Sequence, residues 1–100
     1  MTPKADSRVI AELWSVICER AENPKPESYT TSLLNDKKGI DKVLEKVGEE
    51  STEFILAIKN GVNERTVEET ADLLFHLLVA LRAADIDLND VMKELEHRRK

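Results

Sequence analysis

Apolar residues recur along this chain at helical spacing, and they predict a series of helices separated by short polar breaks. The first helix is predicted to run to about Ala21 from a cap at Ser7. The sequence Asn-Pro-Lys-Pro at 23–26 ends it, because proline removes a backbone donor and clashes with the preceding turn. A short helix or turn is then expected from Ser28 to about Leu34.

Two long helices are predicted in the middle of the chain, joined by a tight turn. The first is expected from about Ile40 to Asn60, where Gly61 provides a C-terminal stop. The second is expected from a cap at Asn63 to about Ala84. The first carries its apolar residues at the spacing of one helix face, whereas the second is apolar on nearly every side, so the two are expected to pack together.

A last helix, ending near Arg99, is predicted after Asp87, which with Asp90 resembles a capping box. The whole pattern predicts an all-α fold, a helical bundle built on the two long central helices. A single domain is expected over residues 1–100, with residues 1–6 as a flexible tail.

The second central helix predicts that the bundle is completed by homodimerisation. Residues 73–81 read Leu-Leu-Phe-His-Leu-Leu-Val-Ala-Leu, which is apolar on nearly every side of a helix. A chain of 100 residues has a small core and is not expected to cover so much apolar surface alone.

Charge, hydropathy and cysteine content indicate which partners and which cellular location to expect for the protein. The 15 basic and 20 acidic residues give a net charge of -5, unlike the basic footprint of a nucleic-acid-binding protein. Apolar runs fall short of membrane-spanning length, and the N-terminal residues lack the apolar stretch of a signal peptide. The single cysteine, Cys18, is compatible with a reducing compartment. These features predict a cytoplasmic protein with no nucleic-acid or membrane partner.

The first central helix carries two glutamates at the border of its apolar stripe. Glu50 and Glu53 are three residues apart and are therefore neighbours on one helix face. Glu50 is expected at the edge of the stripe and Glu53 just beyond it. Two like charges at the border of a core repel each other and lose solvation, and a bound cation would remove both penalties.

The second central helix aligns polar residues on an otherwise apolar surface. Glu69, Asp72 and His76 lie at positions i, i+3 and i+7. Because this helix is expected to be mostly buried, its carboxylates need a proton, a partner or a metal. Carboxylate oxygens suit Mg²⁺, which can neutralise phosphate oxygens and activate a water as nucleophile. The pattern predicts a magnesium site for phosphate chemistry, while a solvated acidic face is the alternative that spacing alone leaves open.

Three segments stand out by their order and spacing. They are Ser-Tyr-Thr at 28–30, Lys-Val-Gly-Glu-Glu-Ser-Thr-Glu at 46–53, and Glu-Thr-Ala-Asp-Leu-Leu-Phe-His-Leu-Leu at 69–78. Together they resemble the phosphoribosyl-ATP pyrophosphohydrolases of histidine biosynthesis, which belong to the all-α nucleoside triphosphate pyrophosphohydrolases. The likeness extends from about Trp14 to Arg98.

The resemblance implies a dimerising helical bundle with an active site between packed helices. It implies hydrolysis of phosphoribosyl-ATP to phosphoribosyl-AMP and pyrophosphate, the second step of histidine biosynthesis, with Mg²⁺ as cofactor. Carried over by position, the metal ligands are Glu50, Glu53, Glu69 and Asp72. Glu50 and Glu53 are also the catalytic candidates, because either could orient the attacking water. The expected substrate-binding residues are Ser28, Tyr29, Thr30 and Lys46.

Two positions depart from the pattern of the resembled family. Its members commonly have a glycine before the Ser-Tyr-Thr segment and a basic residue two positions after it. Here these positions hold Glu27 and Ser32, so a phosphate contact from position 32 has no matching residue. Lys37 or Lys38 would have to replace it, and the sequence does not decide whether either does.

Several residues keep two interpretations at this point. Tyr29 either contacts the substrate, for instance by stacking on a base, or belongs to the core beside a helix cap. His76 is more typical of a satisfied core or interface histidine than of a group that hydrogen-bonds a ligand carboxylate. Lys46 either meets a phosphate or pairs with Glu50 one turn further on. Gly48, in mid-helix, indicates either close helix packing or a close approach of substrate.

Two rival functions also remain. The first keeps the fold and changes the substrate: a house-cleaning pyrophosphohydrolase of non-standard nucleoside triphosphates, against which the Ser-Tyr-Thr segment argues. The second is a non-enzymatic helical dimer, an adaptor or scaffold. It would explain the apolar helix but not the carboxylates on it.

Overall fold

Five helices form in the predicted order in a computed structural model, which describes residues 3–99. They are α1 (Arg8–Glu22), α2 (Tyr29–Leu34), α3 (Ile40–Asn60), α4 (Asn63–Ala83) and α5 (Leu88–Arg98). No strand occurs in residues 3–99, so the all-α prediction is confirmed. Of the predicted tail, residues 1 and 2 lie outside the described residues, and residues 3–6 carry no helix. That residues 1–100 form a single domain stays a prediction.

The two central helices form an antiparallel hairpin, whose internal packing is the most extensive helix–helix contact in the described chain. Gly61 ends α3 in the left-handed conformation, with φ +72°, and its amide donates to the carbonyls of Ala57 and Ile58. Glycine reaches this conformation without the steric penalty of a Cβ atom. Because the turn is so short, the second half of α3 lies beside the first half of α4. The hairpin therefore brings the two acidic motifs to the same level.

The core lies where the three shorter helices pack on this hairpin. Its buried apolar side chains come from all five helices: Ile17, Leu33, Val43, Leu78, Val79 and Leu88. Each of the three shorter helices contributes one of them, and burying such a side chain is worth about 1.5–3 kcal/mol. These contacts hold α2, which carries the Ser-Tyr-Thr segment, against α3 and α4.

Two predicted helix caps are wrong in detail. Ser7 occupies the cap position of α1, but its side chain makes no capping hydrogen bond. The Arg8 amide, at the start of α1, has no partner within the helix, and it donates to Asp6 Oδ1 at 3.2 Å. Asp6 therefore provides the capping contact that was expected from Ser7. The cap position of α4 is Val62, so Asn63 is already the first helical residue.

Two other caps form as predicted. Ser28 Oγ accepts from the Thr31 amide at 3.2 Å, and Asp87 Oδ1 accepts from the Asn89 amide at 2.9 Å. Both satisfy amides that have no partner within their own helix. The reciprocal bond of a capping box, from Asp90 back to Asp87, does not form in the described part of the chain, so that detail of the prediction is wrong.

The expectation that most of the second central helix is buried is wrong for a single chain. Val67, Leu74 and Leu77 on α4 are 69%, 45% and 40% exposed. Ile40 and Leu44 on α3 are exposed as well, at 40% and 50%. The reason is geometric, since three short helices cannot cover both faces of two long ones. Homodimerisation stays a prediction. None of the described helices is both long and apolar enough to cross a membrane.

Candidate metal centre

Three of the four predicted metal ligands come together between α3 and α4. Carboxylate oxygens of Glu50, Glu69 and Asp72 lie within 4.8 Å of one another. Glu50 projects from α3, whereas Glu69 and Asp72 are three residues apart on α4 and are therefore neighbours on one side of it. Carboxylate oxygens bind a hard divalent cation at about 2.0–2.6 Å, so small side-chain movements would bring all three to one ion.

The three carboxylates differ in their exposure to solvent. Glu69 is 6% exposed, Glu50 is half-buried, and Asp72 is exposed. The sequence-based expectation of a buried Asp72 is therefore wrong, because the flank of α4 that carries it is not covered by another helix. The group has a buried inner end at Glu69 and an open outer end at Asp72. A ligand can approach from the outer end.

Glu53 lies beside this group of three and not within it. It is exposed on α3, one turn beyond Glu50. Together with Arg65 it lines a cavity of about 180 Å³ near the turn of the hairpin. Its negative charge nevertheless contributes to the raised pKa of Glu69. Glu53 is thus electrostatically part of the site while its carboxylate remains in solvent.

The charges around Glu69 favour a cation. Burial is the main cause that raises the pKa of Glu69, and Asp72, Glu50 and Glu53 raise it further. Arg65 acts in the opposite direction. A buried carboxylate among like charges is relieved by a divalent ion, which favours the ionised form. The donor set, made of carboxylates alone, fits a hard cation such as Mg²⁺.

Two basic residues flank the carboxylates. Lys46 Nζ lies 3.1 Å from Glu49 Oε2 and 3.7 Å from Glu50 Oε1. Arg65 Nη2 lies 2.7 Å from Glu69 Oε1. Each precedes its carboxylate by four residues, and because α3 and α4 run antiparallel, the two cations stand at opposite ends of the group. Positive charge at both ends suits a ligand that carries several phosphates.

Of these two basic residues, Lys46 was predicted from the sequence and Arg65 was not. Lys46 pairs with both Glu49 and Glu50, and its hydrogen bond to Glu49 is the main reason its pKa is raised. Arg65 was not among the sequence-based candidates. Its i,i+4 spacing to Glu69 was a readable signal, but such pairs are common on helix surfaces.

The Ser-Tyr-Thr segment begins α2 close to α4, and its three residues differ in what they offer a ligand. Ser28 Oγ is already engaged as the helix cap, and Thr30 is buried at 7% exposure. Tyr29 is 51% exposed, and its Oη lies 3.0 Å from His76 Nε2. Its side chain is therefore the main ligand-accessible surface of this segment.

His76 is a buried histidine with both ring nitrogens engaged. It is 4% exposed, and its Nδ1 lies 2.7 Å from the backbone carbonyl oxygen of Asp72. The contact is to the backbone of Asp72 and not to its carboxylate. The interpretation of His76 as a satisfied core residue is thus the better one, although it joins α2 to the carboxylate-bearing helix.

Four further charged residues lie at the margin of the site or outside it. Glu68 is solvated, with its side chain 64% exposed. Glu49 is held by Lys46, which lowers the pKa of this exposed carboxylate. Lys38 pairs with Glu45 at 3.1 Å, and Lys37 is exposed. Neither lysine contacts the three clustered carboxylates.

Comparison with known proteins identifies one family. The sequence model of the phosphoribosyl-ATP pyrophosphohydrolase family (PRA-PH) matches residues 10–99. A protein of Methanoregula boonei named phosphoribosyl-ATP pyrophosphatase is 75% identical over 95% of this chain and 91% of its own length. A protein of the same name from Methanosphaerula palustris is 62% identical over 95% of this chain and 96% of its own length. Another, from Methanosarcina acetivorans, is 45% identical over 96% of this chain and 92% of its own length. With a match that spans nearly all of the described helices, this chain belongs to the phosphoribosyl-ATP pyrophosphohydrolase family.

Proposed function

We propose that this chain hydrolyses the α–β phosphoanhydride of phosphoribosyl-ATP, giving phosphoribosyl-AMP and pyrophosphate, in the second step of histidine biosynthesis. The observation that carries the proposal is the meeting of Glu50, Glu69 and Asp72 between two helices of a chain of this family. A solvated acidic face would not place one of its carboxylates at 6% exposure, as Glu69 is.

Mg²⁺ is the proposed cofactor, held by Glu50, Glu69 and Asp72. When bound, it neutralises phosphate oxygens and polarises the anhydride. The three carboxylates would hold it between α3 and α4, with Glu69 at the buried end of the group. Mg²⁺ usually takes only one or two carboxylates together with waters and substrate phosphates, so a site with few protein ligands would suit a phosphate-bearing substrate.

Glu53 is the proposed fourth acidic residue of the site and, with Glu50, a candidate to orient the attacking water. Its carboxylate, one turn beyond Glu50, is exposed and can accept a hydrogen bond from a water. As a metal ligand, it would add a fourth carboxylate from outside the group of three. A carboxylate that positions a nucleophilic water typically contributes about 10²–10⁴-fold to the rate.

Lys46, Tyr29 and Ser28 are the proposed substrate contacts. Lys46 is held at the edge of the site by two glutamates, with its charge available to phosphate oxygens. Tyr29 offers a half-exposed ring, and Ser28 retains its hydroxyl proton for donation after accepting from the Thr31 amide. Thr30 was also predicted to bind substrate, but its burial at 7% exposure gives that role little support.

Turnover of phosphoribosyl-ATP by the purified chain tests this function directly. We expect phosphoribosyl-AMP and pyrophosphate in equal amounts with Mg²⁺, and no product after chelation by EDTA. A panel of canonical and non-standard deoxynucleoside triphosphates, assayed alongside, separates the house-cleaning alternative. Faster hydrolysis of any of them would overturn the substrate assignment, and absence of turnover with every substrate would favour the non-enzymatic alternative.

The proposed assembly is a homodimer that covers the exposed apolar faces of the hairpin. One apolar groove runs between α1, α4 and α5, and a second lies between α3, α4 and α5. Leu77 lines both, so they form one continuous apolar surface. Contiguous apolar surface of this kind marks an interaction site, and a second copy presents a surface of the same chemistry.

The proposed location is the cytoplasm, with residues 1–100 as one functional domain. Support comes from the biosynthetic role of the family and from the single cysteine, Cys18, which has no other cysteine in the chain to pair with. Fractionation of cells that express the tagged chain, with a cytoplasmic marker as reference, checks the location.

A further inference from the structure

A chain of two hydrogen bonds links the exposed ring of Tyr29 to the backbone of the carboxylate-bearing helix. Tyr29 Oη lies 3.0 Å from His76 Nε2, and His76 Nδ1 lies 2.7 Å from the carbonyl oxygen of Asp72. The imidazole is 4% exposed, so water cannot readily replace either bond. A single buried side chain therefore fixes the position of Tyr29 relative to the metal-binding turn of α4.

The partners of His76 determine its tautomer. A backbone carbonyl oxygen can only accept, so Nδ1 of His76 must carry the proton that it shares with Asp72. In the neutral ring Nε2 is then an acceptor, and the hydroxyl of Tyr29 donates to it. This arrangement fixes the direction of the phenol hydroxyl.

The Tyr29 ring is also fixed by aromatic contacts. Its centroid lies 6.0 Å from that of Phe75, with the planes 25° apart, and 5.8 Å from that of His76, in an edge-on arrangement. Phe75 and His76 in turn make an edge-on pair at 5.0 Å. With one side packed in this way, the ring is still 51% exposed. An aromatic ring that is held rigidly on one side and open on the other is suited to stacking against a flat ligand group.

We propose that His76 is a positioning residue that, with Phe75, holds the Tyr29 ring as a stacking platform for the purine base of the nucleotide substrate. The inference rests on the proposed function, which supplies a nucleotide as the ligand. The platform lies on the Lys46 side of the carboxylates, because His76 follows Asp72 by one turn of α4, in the direction away from Arg65. The base is thus placed at one end of the site and Arg65 at the other.

Nuclear magnetic resonance tests the platform without requiring catalysis. Tyr29 is the only tyrosine, so a sample labelled with ¹³C-tyrosine gives the signals of one ring. With Mg²⁺ present, we expect a non-hydrolysable α,β-methylene analogue of phosphoribosyl-ATP to shift these signals, and inorganic tripolyphosphate, which lacks a base, to leave them nearly unmoved. The inference is overturned if the Tyr29 ring does not respond at analogue concentrations that saturate the protein, or if tripolyphosphate shifts that ring equally.

The tautomer is checked on the same protein. The chain has two histidines, His76 and the exposed His97. With ¹⁵N-histidine, we expect His76 to carry its proton on Nδ1, whereas an exposed histidine such as His97 has no bond that fixes the proton there. A His76 with its proton on Nε2 contradicts the proposed bond to Asp72 and overturns the positioning role.

Substitutions separate positioning from a structural contribution. His76→Asn keeps a donor close to the position of Nδ1 and removes the acceptor for Tyr29, whereas His76→Gln keeps a polar atom near Nε2. We expect His76→Asn and Tyr29→Phe to raise KM by about fivefold with kcat changed less than about twofold, because they loosen substrate binding and not the chemical step. We expect His76→Gln to restore most of the affinity.

The double variant Tyr29→Phe/His76→Asn provides the sharpest comparison. If the two residues act through one bond, its KM equals that of either single variant, since the bond is lost only once. Multiplied KM effects, or a fall in kcat with unchanged KM, would overturn the positioning role. Tyr29→Leu, which removes the ring, is expected to raise KM about tenfold or more, and His97→Asn is the matched control with wild-type kinetics.

Different results would contradict the proposed hydrolysis and the positioning role of His76. If the wild-type chain does not hydrolyse phosphoribosyl-ATP, the proposed function fails, whatever the variants do. If the wild-type chain is active and His76→Asn retains its KM, only the positioning role fails. Thermal unfolding of each variant shows whether a kinetic change follows from loss of the folded state.

Discussion

Arg65 Nη2 lies 2.7 Å from Glu69 Oε1, so the most buried carboxylate of the site is paired with a cation from its own helix. This pair does not compensate fully for burial, because the pKa of Glu69 remains raised. Burial and the charges of Asp72, Glu50 and Glu53 together outweigh Arg65. In the metal-free protein, an ionised Glu69 therefore opposes folding, which is typical of a residue kept for binding.

Glu69→Gln should stabilise the metal-free protein at neutral pH. Because the folded state raises the pKa of Glu69 above its usual 4.5, folding favours the protonated form, and stability is lost as pH rises through this pKa. Glutamine has no such charge, so the advantage of the variant should grow from acid to neutral pH. Thermal unfolding in EDTA across this range measures it. The exposed Glu68→Gln is the control, and an equal gain there would contradict the argument.

Loss of any clustered carboxylate should weaken both metal binding and turnover. Glu50→Gln, Glu69→Gln and Asp72→Asn each remove a charged oxygen ligand, and we expect kcat/KM to fall about 10²–10³-fold. Calorimetric titration with Mg²⁺ should show weaker binding in the same variants. Glu68→Gln, on the same helix but solvated, should behave as the wild type. Wild-type activity in Asp72→Asn would refute the ligand assignment.

Glu53→Gln should separate water orientation from metal binding. Since Glu53 lies outside the group of three, we expect kcat to fall about 10²-fold while the affinity for Mg²⁺ changes much less than in Asp72→Asn. Parallel measurement of turnover and of Mg²⁺ binding checks this. Full activity would remove Glu53 from the site, and a loss of Mg²⁺ binding equal to that of Asp72→Asn would make it a direct ligand.

A charge on the apolar surface of α4 should disrupt the proposed dimer. Leu77 is 40% exposed and lines both apolar grooves, so Leu77→Glu would bury an unpaired carboxylate at the interface. Analytical ultracentrifugation should show a dimer for the wild type and a monomer for the variant. Val16→Glu introduces the same charge at an exposed apolar residue of α1 that lines neither groove. A wild-type monomer at micromolar concentration would refute the assembly.

Two glycine substitutions should shift stability in opposite directions. Gly61→Ala places a Cβ on a left-handed residue with φ +72° and should cost about 1 kcal/mol, although no atom lies within 4 Å of the new methyl group. Gly48→Ala, in mid-helix with equally open surroundings, should gain about 1 kcal/mol from helix propensity. Chemical denaturation measures both. If Gly48→Ala stabilises the protein but lowers turnover, a glycine is needed at this position because the substrate approaches the helix closely there.

The helices could be predicted closely because helix formation depends on neighbouring residues. Apolar spacing located the long helices, capping residues located α5, and Gly61 ends α3 where the Asn-Gly pair predicted, whereas α2 was expected only as a short helix or turn. The wrong details concern helix caps, because neighbouring residues compete for the cap position or for the capping hydrogen bond. This is the case at Ser7, which makes no capping bond, and at Asn63, where the cap position is Val62. The burial of α4 was overestimated because burial depends on what packs against a helix, and a single chain leaves Leu77 exposed.

The sequence by itself determined the two acidic motifs, their positions on two helices, and the family, since each is a matter of residue type and spacing. Only the tertiary structure decided which carboxylates meet, because that depends on how α3 and α4 turn toward each other across a short connection. It separated Glu53 from the group of three and left Asp72 in solvent. It also joined Tyr29 to His76, which are 47 positions apart. No local pattern encodes that contact, since it exists only once α2 has packed against α4.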